Sequence, residues 1–124
     1  MRILIAEDDD VLRCLLDDFL SGLSHEVESF SNGVQLISSA LQKKPDLIIT
    51  DLHMPEIPGD SMIAMLDMHP DLSGIPVLVV SGAAKAGVAD MGISRDITVI
   101  SKPFDLARIK GETDRLGKRI TFGI

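Results

Sequence analysis

Three stretches of the chain are apolar without alternation: Arg2–Ala6 (RILIA), residues 46–51 (DLIITD, apolar between two acids) and residues 75–80 (IPVLVV). Continuous runs of this length predict strands covered on both faces. Glu26–Phe30 (EVESF) alternates, which predicts a more exposed strand, and Ile97–Ser101 (ITVIS) reads as a fifth. Helical spacing fills the gaps. Leu12, Leu15, Leu16, Phe19, Leu20 and Leu23 recur at that period, after Asp9 and Asp10, whose charge suits a helix N-terminus; Gly22 marks its end. Asn32 is placed to cap a helix carrying Val34, Leu36, Ile37, Ala40 and Leu41, which Pro45 stops. Pro55, Pro58 and Gly59 predict a rigid loop before a helix with Met62, Ile63, Met65 and Leu66, followed by a loop over residues 70–74. Residues 84–96 carry a weak helical signal. Val88 and Met91 are correctly spaced, but Gly87 and Gly92 each cost about 1 kcal/mol relative to Ala, which predicts a short helix or a loop. The last helix is expected from near Phe104, with Leu106, Ile109 and Leu116; Gly111 and Gly117 predict a fraying end.

Strand and helix alternate about five times with short linkers and no repeats. That order predicts one α/β domain over residues 1–124, with a parallel sheet, right-handed crossovers and helices on both faces. In such sheets ligands sit at the carboxyl ends of the strands. Those ends collect Glu7 and Asp8 after strand one, Asp51 after strand three, Ser81 and Gly82 after strand four, and Lys102 after strand five. Three carboxylates at about 5 Å and an effective dielectric near 20 repel by roughly 3 kcal/mol per pair. A cation relieves this, and an all-oxygen donor set suits Mg²⁺ or Mn²⁺. With that metal and the Lys102 ammonium beside it, Asp51 is equipped to attack a phosphoryl donor and form an aspartyl-phosphate. Ser81 could donate to a phosphoryl oxygen.

Glu7-Asp8, Asp51 with Met54-Pro55 and Gly59, Ser81-Gly82, and Lys102-Pro103-Phe104 occur in order over nearly the whole chain. Together they resemble the receiver domain of bacterial two-component response regulators. The resemblance implies a flavodoxin-like sheet of order 2-1-3-4-5. It implies that Asp51 is phosphorylated from a phosphohistidine on a histidine kinase or histidine phosphotransfer protein. Asp8 would bind Mg²⁺ directly, Glu7 through water, and Asp51 and the backbone carbonyl of His53 would complete the set. Ser81 would turn toward the phosphoryl group, Lys102 would pair with it, and the bond before Pro103 would be cis. The partner would dock on Val11, Leu12, Leu15, Pro103 and Phe104, and phosphorylation would change binding to a downstream protein target. One departure stands out. The position three before the lysine, often an aromatic switch, is Val99, so a turning ring cannot carry the signal; ordering of residues 81–96 is the expected substitute.

Composition narrows the field. A formal net charge of -7 argues against nonspecific nucleic-acid or anionic-membrane partners. The single cysteine, Cys14, cannot form an internal disulfide and fits a reducing, cytoplasmic setting. No run reaches membrane-spanning length. If the chain is full length, a stand-alone receiver without an output domain is expected; if it is an excised piece, the missing part would decide the output. Absence of Trp and Tyr, with four Phe, weakens a flavin-binding reading. Taken singly, each motif has an ordinary reading: Asp51 as a solvated strand end, Glu7 and Asp8 as a helix start, Ser81-Gly82 as a turn, Lys102-Pro103 as a helix first turn. The Met62, Met65 and Met68 set reads as core and rim packing, and Cys14 as an inert helix residue. The rival activity is an aspartyl-phosphate-type small-molecule phosphatase, but such enzymes place an acid two residues after the nucleophile, where this chain has His53. A degenerate scaffold receiver is opposed by the intact acids and Lys102.

Overall fold

The computed structural model describes residues 1–51, 54, 59–82 and 97–121, the side chains at 59, 60, 81 and 118–121 excepted. Five strands, β1 (Arg2–Ala6), β2 (Glu26–Phe30), β3 (Leu47–Thr50), β4 (Val77–Ser81) and β5 (Ile97–Ser101), form one parallel sheet of order β2-β1-β3-β4-β5. Among the described residues four helices accompany it: α1 (Asp10–Gly22), α2 (Gly33–Gln42), α3 (Gly59–Asp67) and α4 (Leu106–Thr121). None of these is long and apolar enough to cross a membrane. This is the flavodoxin-like order the sequence predicted. The weak helix over residues 84–96 lies outside the described residues, as does the loop holding Pro55 and Pro58.

The unbroken apolar runs are explained by packing on both sheet faces. In β1, Leu4 and Ala6 join Ile48, Val77 and Val79 under α2 and α3. Ile3 and Ile5 join Leu47, Ile49, Leu78 and Val80 under α1 and α4. Every residue of β1 and β3 is buried, whereas β2, at the sheet edge, is largely exposed or half-buried. Successive strand side chains point to opposite faces, so a one-residue slip would exchange the two cores.

Helix ends follow local chemistry. Asp9 caps α1, its Oδ1 accepting from the Val11 and Leu12 amides at 3.0 and 3.1 Å. Asn32 caps α2 through the Gln35 amide. At Gly33 the approach is close: a Cβ there would meet Met62 Cγ at 3.1 Å, so the methionine would have to give by a few tenths of an ångström. Gly22 is the last residue of α1, as expected, and a left-handed position follows at Ser24, φ 71°. Several other expectations need correction. β3 is one residue shorter at each end than 46–51, and β4 begins at Val77 rather than 75, since Pro76 has no amide for the ladder; its carbonyl instead accepts from Ile48 N at 3.1 Å. α4 starts at Leu106, where the Asp105 carboxylate takes the Arg108 amide at 2.8 Å. It continues through Gly111 and Gly117 to Thr121, because buried Ile109 and Leu116 hold it against the sheet. Val34 and Leu41, counted among the apolar positions of α2, are largely exposed; Leu36, Ile37 and Ala40 are its core face. Met62 is core, while Met65 and Met68 lie at the surface.

Candidate functional site

The sheet register brings the chemistry to one edge. Ala6 pairs with Thr50, so Glu7 and Asp51, each one residue beyond its strand, emerge side by side. Backbone bonds fix both: the Glu7 amide donates to Phe30 O at 3.0 Å and the Asp51 amide to Ala6 O at 3.2 Å. Ser81 pairs with Ser101 across β4 and β5, which sets Lys102 just past the same edge.

Lys102 reaches back over the strand ends. Its Nζ lies 2.6 Å from Asp51 Oδ2 and 3.0 Å from Glu7 Oε1. Glu7 and Asp51 are buried, with side chains 3% and 7% exposed. The other Glu7 oxygen, Oε2, accepts the Asp9 amide at 3.1 Å. Glu7 thus has both oxygens engaged. Carboxylate oxygens of Glu7, Asp8 and Asp51 all lie within 4.8 Å of one another, with Asp8 the exposed member.

Electrostatics follow from this crowding. Burial pushes the Glu7 carboxyl above its ordinary range; the Asp9 amide and Lys102 pull it down, and Asp8 adds to the rise. For Lys102, burial works downward, but hydrogen bonds to Asp51 and Glu7 outweigh it and hold the ammonium above its usual pKa. Three acids face one cation. The donor set is all oxygen, partly open through Asp8, and fits a hard divalent ion that keeps some waters.

Glu7, Asp8, Asp51 and Lys102 therefore meet as the sequence predicted. Ser81 is the final residue of β4, at the same edge; His53 lies outside the described residues. The Lys102–Pro103 peptide is cis. Of the expected docking residues, Val11 is 81% and Leu15 45% exposed, and Pro103 is also exposed. Leu12 and Phe104 are half-buried and pack on the core beside α1 and α4. Val99 is half-buried opposite Val79, against the core under α2 and α3.

Two contributors escaped the sequence reading. The buried Thr50 hydroxyl donates to Asp51 O at 2.9 Å, fixing the peptide after the central acid. Arg13 Nη1 donates to Glu7 O at 2.9 Å. The readable signal for Arg13 was a cation near a helix start, where the macrodipole disfavours it.

The described chain is thus a flavodoxin-like α/β domain with three clustered acids and a lysine at the carboxyl edge of its sheet. The family model described as the response regulator receiver domain matches residues 3–114. CpdR, a response regulator receiver protein of Brucella abortus, is 32% identical over 117 residues, 93% of this chain and 95% of CpdR. The cyclic-nucleotide phosphodiesterase regA of Dictyostelium discoideum is 38% identical over 87 residues, 68% of this chain but only 11% of the phosphodiesterase. This chain thus spans a small part of that relative and nearly all of CpdR. Among solved structures, the chemotaxis protein CheY4 of Vibrio cholerae superposes with a TM-score of 0.84 at 20% identity, covering 93% of this chain and 97% of CheY4. The receiver domain of the sensor histidine kinase PA1611 from Pseudomonas aeruginosa, solved with magnesium coordinated in its active site cleft, gives 0.81 at 23% identity, covering 94% of this chain and 97% of that domain. At these identities the two structures speak to the fold. The chain belongs to the response regulator receiver domain family, whose members are signalling switches of two-component systems.

Proposed function

We propose that Asp51 accepts a phosphoryl group from a phosphohistidine on a histidine kinase or histidine phosphotransfer protein. The observation that carries this reading is the bridge of Lys102 Nζ between Asp51 Oδ2 and Glu7 Oε1, at 2.6 and 3.0 Å, inside the three-acid cluster. In the transfer, an Asp51 carboxylate oxygen forms the new P–O bond as the P–N bond of the donor breaks. The bonding pair returns to the imidazole nitrogen. Lys102, with its pKa held up, stays charged throughout neutral pH and can follow the phosphoryl oxygens. Asp8 directly, Glu7 through a water, and the backbone carbonyl of residue 53 would hold Mg²⁺, or Mn²⁺ in its place. When bound, that ion supplies charge neutralisation on the phosphoryl oxygens. Ser81 would donate its hydroxyl to the product.

The domain is then a switch with only slow self-dephosphorylation, and its output is altered protein binding. The kinase or phosphotransfer protein would dock on exposed Val11, Leu15 and Pro103, together with half-buried Leu12 and Phe104. The acidic charge fits protein rather than nucleic-acid partners, in the cytoplasm. The small-molecule phosphatase alternative draws no support from the family matches. Incubation with a small phosphodonor and Mg²⁺ is expected to give an acid-stable, base-labile adduct, lost in Asp51→Asn. Labelling that persists in Asp51→Asn, or never appears in the wild type, rejects the assignment.

A further inference from the structure

The β1–α1 turn carries Glu7 and Asp8, the two acids that accompany Asp51, and Glu7 is pinned through its side chain. Its oxygens are held by Lys102 and the Asp9 amide, while Asp8 projects exposed. What fixes the peptide between them comes from the helix that follows. Arg13 makes an early backbone bond of α1, its amide donating to Asp9 O at 2.9 Å. Its guanidinium then reaches back past the helix start. Nη1 donates to the Glu7 carbonyl at 2.9 Å, and Nη2 pairs with Asp10 Oδ1. The Arg13 side chain is only 18% exposed, whereas Asp10 is 83% exposed. An ion pair at this spacing adds little to a helix, and the macrodipole opposes a cation here. The bond to Glu7 O is the contact that helix stability does not call for.

We infer that Arg13 is a positioning residue for the divalent-cation site. By holding the carbonyl of Glu7, it fixes the Glu7–Asp8 peptide and keeps the Asp8 carboxylate facing Glu7 and Asp51. The inference rests on the metal-binding reading of that cluster. Its sign separates it from simple electrostatics. A guanidinium near the site repels a divalent ion, so charge alone predicts tighter binding when Arg13 is removed; positioning predicts weaker binding.

The test is calorimetric titration of Mg²⁺ into the full chain, with thermal melting of each metal-free variant as a control for folding. Arg13→Ala and Arg13→Met, the second retaining the apolar stem, should each lose about tenfold in Mg²⁺ affinity, the lower end of what outer partners of metal ligands contribute. Arg13→Lys keeps one donor of similar reach and should recover most of it. Asp10→Ala, which removes the ion pair and leaves the Glu7 contact, should bind like the wild type. Unchanged or tighter binding in the folded Arg13→Met protein overturns the inference. A wild-type chain that takes up no Mg²⁺ overturns the metal-site reading itself, and the inference with it.

Discussion

Glu7 is the residue on which the site's charge balance turns. Burial sets the direction of its shift, upward from the ordinary value of 4.5. The folded protein therefore holds this proton more tightly than the unfolded chain does. Linkage then gives a sign: the metal-free fold is favoured most below the unfolded pKa, and it loses that advantage as pH rises through the higher folded value. With a chelator present, urea midpoints of wild type and Glu7→Gln should agree best at low pH. The wild type should fall behind as pH climbs from the ordinary carboxylate range upward. A pH-independent gap between the two would contradict the assignment. Lys102 moderates the effect, since it bonds both Glu7 and Asp51, but it is one cation among three acids.

At the scale of elements, α1 is the helix that connects the site to the rest of the chain. Asp9 satisfies two of its first free amides, and Asp9→Ala should cost about 1 kcal/mol, the usual worth of such a cap. Equilibrium denaturation measures this directly. Mg²⁺ affinity should survive the change, because Asp9 reaches Glu7 through its backbone amide. This helix also shows what a sequence discloses. Asp9 as a helix start, the buried strands and the meeting of Glu7, Asp8, Asp51 and Lys102 were legible because each follows from period, cap chemistry or strand order. The Arg13 and Thr50 contacts were not, since each depends on the direction of one carbonyl. Nor was the persistence of α4 through Gly111 and Gly117: its stability comes from Ile109 and Leu116 packing on a sheet assembled from distant segments. The positive φ at Ser24 was hidden for a related reason, as the register of β2 against β1 fixes the turn and a nearby glycine does not.

For the whole molecule, the proposed cation binding would be coupled to folding. The three acids come together in the native sheet, so Mg²⁺ held by them would bind the folded chain in preference. At a hundredfold excess over its dissociation constant it should add about 2.7 kcal/mol to stability. Denaturant midpoints measured across a Mg²⁺ series should rise accordingly, and Asp8→Asn should remove most of the rise. The lysine extends the same logic. Lys102 stands 95 residues from Glu7 and 51 from Asp51 along the chain, yet bonds both. Four neighbouring strands, β1, β3, β4 and β5, must be in place before that bridge exists, and the lysine arrives just past β5, the last of them in the sequence. A chain without its fifth strand carries the acids but no bridging ammonium. On the proposed function the site would thereby double as a checkpoint on assembly: finished copies would be the better acceptors, and a partly folded population would contribute little signal.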